Sequence, residues 1–456
     1  MRATESEPRR PPRAPWSFAR ETVATLSLAL PLVAGQVGQM LISVADTMMI
    51  GRLGVVPLGA ATLANSLTLV PLVLGLGLLT SVPVRVSQAR GAGQPLEAAE
   101  VLRHGLVMAM LFGALCVVGF ALLAPRLAWL GQPPEVTAQT PVYLMLVAVS
   151  LVPALMTAAL KNHADALEHP WWPFWIMLGG VGLNVFFNWV FIFGRLGVPA
   201  MGLVGAGLAT VLARLLVLIA VAVWLLGDGR LARWLPARWR LPLQRARFRD
   251  LLKIGVPASL QQLAEVSAFS GGALFVGLLG TVALGAHQVA LTCAATAFMV
   301  PLGLAMAVTV RVGEVIGAGH RERLLRILGG AWMLITLFAT LTMVVFIFFG
   351  RSIASDFVAD REVIDLAVKI LVVAGIFQLV DGFQVVCAGA LRGAGDVVVP
   401  AWLCALAYLG LGVPLGVVLM FVFELGPVGF WWGLASGLGC SALLLGWRCY
   451  RVLLRS

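Results

Sequence analysis

Long apolar runs follow one another from about residue 22 to residue 450, separated by short stretches that carry charge, Pro or Gly. A helix needs about 20 mostly apolar residues to cross a bilayer. On that measure the pattern predicts twelve spans, at 22–50, 56–84, 100–124, 137–160, 170–194, 201–226, 254–279, 283–310, 328–349, 364–391, 397–423 and 427–450. The short alternating segments of a membrane barrel are absent from the pattern. The predicted fold class is an all-α polytopic membrane protein. A Pro- and Arg-rich stretch, 1–20, reads as a disordered tail. Behind it come a six-helix block at 21–227, a basic linker at 228–252, a second six-helix block at 253–450 and a short tail at 451–456. The first run is too long, and too interrupted by Pro31 and Asp46, for a cleaved signal peptide.

Composition narrows the class. Of 456 residues, 60% are hydrophobic and 12% charged, against roughly a quarter charged in soluble domains. A soluble enzyme or a nucleic-acid module is excluded on that ground. The net charge of +11 matters for topology instead. With an even number of spans both ends share one side, and 25 of the 32 Lys and Arg fall there. The exceptions are Arg52, Arg126, Arg195, Arg351, Arg361 and Lys369, with Arg214 inside a span. The positive-inside rule therefore places both termini in the cytoplasm. The richest basic segment, Arg230 to Lys253, separates the two blocks and reads as a linker at anionic headgroups. Lys161, Lys253 and Lys369 are the only lysines; this Arg bias, with abundant Ala and Gly, suggests a GC-rich bacterium and its inner membrane. Cys116, Cys293, Cys387, Cys404, Cys440 and Cys449 have no metal-ligand spacing and read as small core residues.

The two blocks repeat one another at a constant offset. Pro31 matches Pro257, Gln36 matches Gln262, and Gly51-x-Leu53-Gly54 matches Gly277-x-Leu279-Gly280. Val84-Arg85-Val86 matches Val310-Arg311-Val312, and Gly91-Ala92-Gly93 matches Gly317-Ala318-Gly319. Gly207-Leu208-Ala209-Thr210 matches Gly433-Leu434-Ala435-Ser436. With six spans each, the copies enter the membrane in the same direction. Parallel repeats are related by an axis along the membrane normal, with the substrate path between them. This is an architecture for alternating access.

Ionisable groups within spans are costly and are functional candidates by default. Asp46, Glu265 and Asp381 are the carboxylates of this kind. Asp46, five residues before Gly51, lies either within the membrane or at the outer mouth. Gln261 and Gln262 share a broad helix face with Glu265, and Gln378 and Gln384 flank Asp381 at three residues on either side. In the first block Asn184 and Asn188 are four apart, and Thr210 lies on the sixth span; interhelical hydrogen bonding explains these equally well. Because desolvation disfavours the charged form of a buried carboxylate, such a group can carry a proton. Surrounded by oxygens, it can hold Na⁺. The same charge attracts a lipophilic cation, and competition between the two suffices for antiport.

The strings Pro31…Gln36…Asp46-Thr47…Gly51-Arg52-Leu53-Gly54, Gln261…Glu265, Asp381-Gly382-Phe383-Gln384 and Gly389-Ala390-Leu391-Arg392-Gly393-Ala394-Gly395-Asp396 resemble the multidrug and toxic compound extrusion (MATE) family, in its NorM-type branch. The resemblance covers about residues 20–450. It implies two six-helix bundles in a V around a central cleft, through which drug and cation are exchanged. It further implies coupling-cation binding at Glu265 and Asp381, and a polar cluster of Asp46, Asn184, Asn188 and Thr210 in the first bundle. The family pattern has a tyrosine near the second-bundle carboxylates; here that position is Phe377, which offers no oxygen. One ligand is thereby lost to a Na⁺ site, and H⁺ and Na⁺ both stay open.

The expected function is cation-coupled export of amphiphilic, mostly cationic compounds by a monomer in contact with membrane lipids, with no cofactor beyond the coupling ion and no nucleic-acid partner. A lipid-linked oligosaccharide flippase is the alternative. It would line its cavity with Arg and Lys, and here only Arg214 is basic and within a span. No HExxH or GxSxG supports an enzyme. The stretch His163-Ala164-Asp165-Ala166-Leu167-Glu168-His169 reads as a solvated loop, and Trp171, Trp172, Trp431 and Trp432 as an interfacial belt. Arg214 has no partner that spacing identifies, and Met48, Met49, Met299 and Met306 are candidates for an adaptable drug surface.

Overall fold

The computed structural model describes residues 17–239 and 242–455. Among them the long elements are all helices: α1 (Phe18–Gly51), α2 (Val55–Gly91), α3 (Pro95–Leu123), α4 (Pro134–Ala166), α5 (Trp171–Phe193) and α6 (Gly202–Gly227) in one lobe. The other lobe holds α7 (Arg245–Gly277), α8 (Thr281–Gly317), α9 (Leu324–Phe357), α10 (Arg361–Gly393), α11 (Val398–Phe421) and α12 (Gly426–Cys449). Eleven are long and apolar enough to cross a membrane. The remaining one is α7, whose middle is interrupted by Gln261, Gln262 and Glu265.

Several helices outrun their apolar segments, because backbone hydrogen bonding continues until a cap ends it. Ser17 caps α1 by accepting the Arg20 N–H at 3.2 Å, so residues 17–20 of the expected tail belong to the helix boundary; residues 1–16 lie outside the described region. Likewise α7 starts at Arg245, inside the expected linker, and a wide helical turn continues α12 to Leu454 through the expected tail. The His163–His169 stretch corrects the sequence reading more sharply. α4 runs on to Ala166, His163 and Asp165 are buried, and Lys161 pairs with Asp165 at 2.6 Å. The ion pair and the packing of His163 on the Trp234 backbone draw this turn inward.

Within each lobe one helix is central: α4 contacts α2, α3 and α6, and α10 contacts α8, α9 and α12. The lobes meet through α1 and α2 on one side and α7, α8 and α9 on the other. A continuous apolar core runs through the second lobe and into the terminal-side half of the first, whereas Ile50, Ala60, Phe120, Leu144 and Leu203 form a separate core at the far end. The lobes are thus joined on the side of the chain ends and part toward the other. The repeated Gly-x-Leu-Gly motif ends α1 and α7 alike. Gly54 and Gly280 both adopt positive φ, +116° and +103°, a conformation that glycine alone enters readily.

Small residues permit the closure. A Cβ on Gly77 would overlap Ser259, and one on Gly303 would overlap Val33, each across the lobe boundary. Around this seam lies a belt of ion pairs. Arg85 pairs with Asp250, and Arg311 with Glu21, which also accepts from Arg323 at 2.7 Å. Glu21, Arg311 and Arg323 are buried. Arg90 reaches Glu168 at 2.7 Å, and the Gln88 amide donates to the Gly393 carbonyl at 2.9 Å. Burial pushes the Glu168 carboxyl up, but its hydrogen bond from Arg90 and the charges of Arg90 and Arg311 outweigh that and hold it below the usual carboxylate range.

Candidate functional site

Two polar clusters lie inside the lobes. In the first, Asp46 sits near the end of α1 and Asn188 faces it from α5. The Asn188 amide donates to Asp46 Oδ1 at 2.5 Å and to Asn184 Oδ1 at 3.1 Å. Both asparagines are buried. Arg214, on α6, donates to Ser150 Oγ at 2.8 Å and lies close enough to Asp46 and Tyr143 to interact with their charges. The intramembrane arginine therefore has the inward carboxylate that spacing alone did not identify. Tyr143, from α4, is buried beside Asn65 of α2. Two candidate polar residues of this lobe, Thr210 and Gln36, stand apart. Thr210 donates its hydroxyl to the Ala206 carbonyl of its own helix at 3.0 Å, and Gln36 is half-buried with no hydrogen bond to a described side chain.

The second cluster joins α7, α10, α11 and α12. Glu265 lies within electrostatic reach of Arg392, and Asp381 within reach of Glu265. Gln261 and Gln384 both donate to Cys404 Sγ, at 3.4 Å and 3.5 Å, and Ser441 Oγ lies 3.3 Å from the same sulfur. Gln378 turns its amide to the Ala294 carbonyl at 3.3 Å. Gln262 is half-buried and outside these bonds. What this network leaves over is informative. Asp381 Oδ1, Gln378 Oε1, Gln384 Oε1 and the Tyr408 hydroxyl are buried with no hydrogen-bond partner. Buried polar atoms are nearly always satisfied. Orphaned oxygens gathered around carboxylates fit a small hard cation, whose preferred ligands are oxygens, or a proton shared among them.

Tyr408 is the residue that sequence reasoning missed here. It lies beside Cys404, Glu265 and Asp381, on a stretch of α11, Leu406–Gly412, wound with the wider π-type turn. Such bulges recur at functional sites because they re-aim side chains. Phe377 is buried against Phe269 and Trp431, with ring centroids 6.2 Å and 5.7 Å apart. The phenol thus comes from α11 rather than from α10. Trp431 corrects another expectation: it is fully buried and donates to His287 Nδ1 at 3.1 Å, whereas Trp171, Trp172 and Trp432 are exposed as an interfacial belt would be. Cys404, read as a core residue, is an acceptor at the centre of the cluster. One signal was available: the chain has only three tyrosines, and Tyr143 and Tyr408 fall one in each cluster.

The MatE family model matches the chain twice, at residues 31–190 and 257–418, so its two copies begin at the equivalent Pro31 and Pro257. A probable multidrug resistance protein NorM of Mesorhizobium japonicum is 38% identical over 95% of this chain and 94% of its own. The multidrug resistance protein NorM of Burkholderia vietnamiensis is 35% identical over 95% of both. Among solved structures, the Vibrio cholerae MATE transporter VcmN in its bent form superposes with a TM-score of 0.85 at 22% identity, covering 96% of this chain and 98% of that one. A MOP-superfamily transporter from Pyrococcus furiosus superposes with 0.86 at 20% identity, covering 94% and 96%. These neighbours share the two-lobe fold. The chain belongs to the MatE family of membrane proteins.

Proposed function

We propose that this protein is a multidrug efflux transporter, an antiporter that exports amphiphilic organic cations from the bacterial cytoplasm in exchange for H⁺ or Na⁺. The observation that carries the coupling is the pair Glu265 and Asp381 with orphaned oxygens about them. In this reading the second lobe offers two carboxylates against one neighbouring guanidinium, Arg392, and so has room for one further positive charge. In the first lobe Asp46 already faces Arg214. The coupling ion therefore binds among Glu265, Asp381 and Tyr408 from the side where the lobes part. Its arrival neutralises the charge that retains the organic cation. Release is followed by rocking of the lobes, which opens the seam at Gly77, Gly91 and Gly317 to the other face. The basic belt on the side of the chain ends supports reading that face as cytoplasmic and the enclosing membrane as the inner one. The functional unit is a monomer, since each lobe carries its own polar cluster. A flippase for pyrophosphate-linked lipids would need uncommitted basic groups, but Arg214 and Arg392 both face carboxylates.

The test uses purified protein in liposomes loaded with a fluorescent lipophilic cation, under an imposed pH or Na⁺ gradient. Wild type should move the dye under one gradient, and Glu265→Gln and Asp381→Asn should each abolish that flux. Flux surviving both substitutions would transfer coupling to Asp46. No flux of any organic cation under either gradient would overturn the export reading.

A further inference from the structure

A groove lies away from both polar clusters, on the side of the chain ends, between the start of α7, the end of α2 and the α10–α11 junction. Its volume is about 930 Å³. The walls are divided by chemistry. Arg245, Arg249 and Lys253 follow one another at four-residue spacing on α7, so they form one basic stripe. All three are exposed, and none makes an ion pair with a described residue. Arg85 reaches in from the first lobe, where it pairs with Asp250, the groove's one acid. Next to the basic stripe Leu252 and Val256 line the groove, and Leu260 continues their row beyond it, again four apart and 40%, 44% and 53% exposed. Val398 of α11 lines the same groove and is 50% exposed, and Trp402 and Leu406 follow it at four-residue spacing along that helix, 65% and 63% exposed.

We propose that this groove binds an anionic phospholipid of the leaflet on the side of the chain ends. Its phosphate sits on Arg245, Arg249 and Lys253, and an acyl chain runs along Leu252–Val256 beside Val398. A free anion would satisfy the basic stripe but leave the apolar stripes uncovered. A neutral lipid would cover the apolar stripes and leave the three cations unpaired. Eight residues of helix rise about 12 Å, enough for much of an acyl chain to lie against either stripe. Because Arg85 belongs to one lobe and the other lining residues to the second, a lipid held here touches both. It therefore favours the state in which the lobes are joined on this side. The inference is independent of which solute the protein carries.

The experiment compares retention of phosphatidylglycerol and of phosphatidylcholine with identical chains, by native mass spectrometry of the full-length protein. The variants are Arg245→Gln/Arg249→Gln/Lys253→Gln in the groove and Arg230→Gln/Arg233→Gln/Arg238→Gln in the linker. Each basic residue near an anionic surface contributes about a five-fold preference. The groove variant should then lose phosphatidylglycerol affinity by up to about 100-fold, while the linker variant keeps it. Equal losses in both variants would mean diffuse attraction and overturn the proposal. So would displacement of the lipid by millimolar inorganic phosphate, which would mark a free-anion site. Should the groove variant fail to fold, wild type is labelled with a photoactivatable phosphatidylglycerol. Adducts within 245–260 and 398–402 support the site, and adducts confined elsewhere overturn it.

Discussion

Gly91 and Gly317 are equivalent residues of the two repeats, and each packs into the other's lobe. A Cβ on Gly91 would overlap the Glu314 carbonyl, and one on Gly317 would overlap the Gln88 carbonyl. Gln88 and Glu314 are themselves equivalent, so the two contacts exchange under the pseudo-two-fold axis. Arg85 and Arg311 obey the same relation: each leaves its own lobe to pair with the first helix of the other, at Asp250 and Glu21. The closed side of the cleft is thus a symmetric seam of close backbone contact bordered by crossed ion pairs.

Gly91→Ala or Gly317→Ala should open this seam. Overpacking costs about 1–3 kcal/mol, which shifts a two-state equilibrium by about 5- to 150-fold toward separation. Hydrogen exchange over residues 77–93 should accelerate accordingly. Unchanged exchange in both variants would mean that the seam is not what closes this side.

Glu21→Gln leaves the guanidinium groups of Arg311 and Arg323 without their shared buried carboxylate. Removing one partner of a buried pair costs about 3–5 kcal/mol. A clear fall in melting temperature in detergent is expected, together with faster exchange at the start of α1. A melting temperature equal to that of wild type would count against the pair as a structural tie.

Tyr408→Phe separates stability from ion binding. The hydroxyl is buried beside Ser441 and Cys404 with no well-formed hydrogen bond, so removing it should leave thermal stability about equal. The coupling-ion concentration needed for half-maximal dye release should rise several-fold. Loss of stability with unchanged ion dependence would place the hydroxyl in packing alone.

Asn188→Ala removes the donor to Asp46. Hydrogen bonds to charged groups contribute about 1.5–3 kcal/mol, so dye affinity or turnover should change by about ten-fold or more if the first cluster takes part in transport. An effect confined to thermal stability would reduce Asn188 to a tie between α5 and α1.

Glu168 supplies a pH dependence outside the membrane. Its folded-state carboxyl is held below the usual range, so its stabilising contribution is full above that range. The contribution is lost only as pH falls through the range and down to the depressed folded value. The contribution of the Arg90–Glu168 contact should therefore be insensitive to pH around neutrality and be lost only in acid, and Glu168→Gln should flatten that acid limb. Loosening on the alkaline side would contradict the assignment.

Much of this protein was readable from its sequence, because the relevant forces act locally or count only length. Bilayer thickness sets how long an apolar run must be, and the spans followed from that; the constant offset from Pro31 to Pro257 revealed the repeat; Asp46, Glu265 and Asp381 stood out because charge within a span is costly. The neighbours of those groups were decided by tertiary structure. Helical spacing says which side chains share a face of one helix, and nothing of what another helix brings to it. That Arg214 faces Asp46, that Cys404 gathers Gln261 and Gln384, and that Tyr408 rather than residue 377 turns a phenol toward the carboxylates depends on helix rotation and a wide turn in α11. The same holds for the glycines: the sequence placed Gly91 and Gly317 in register, but only the packing of two lobes made a missing Cβ at each of them a condition for closure.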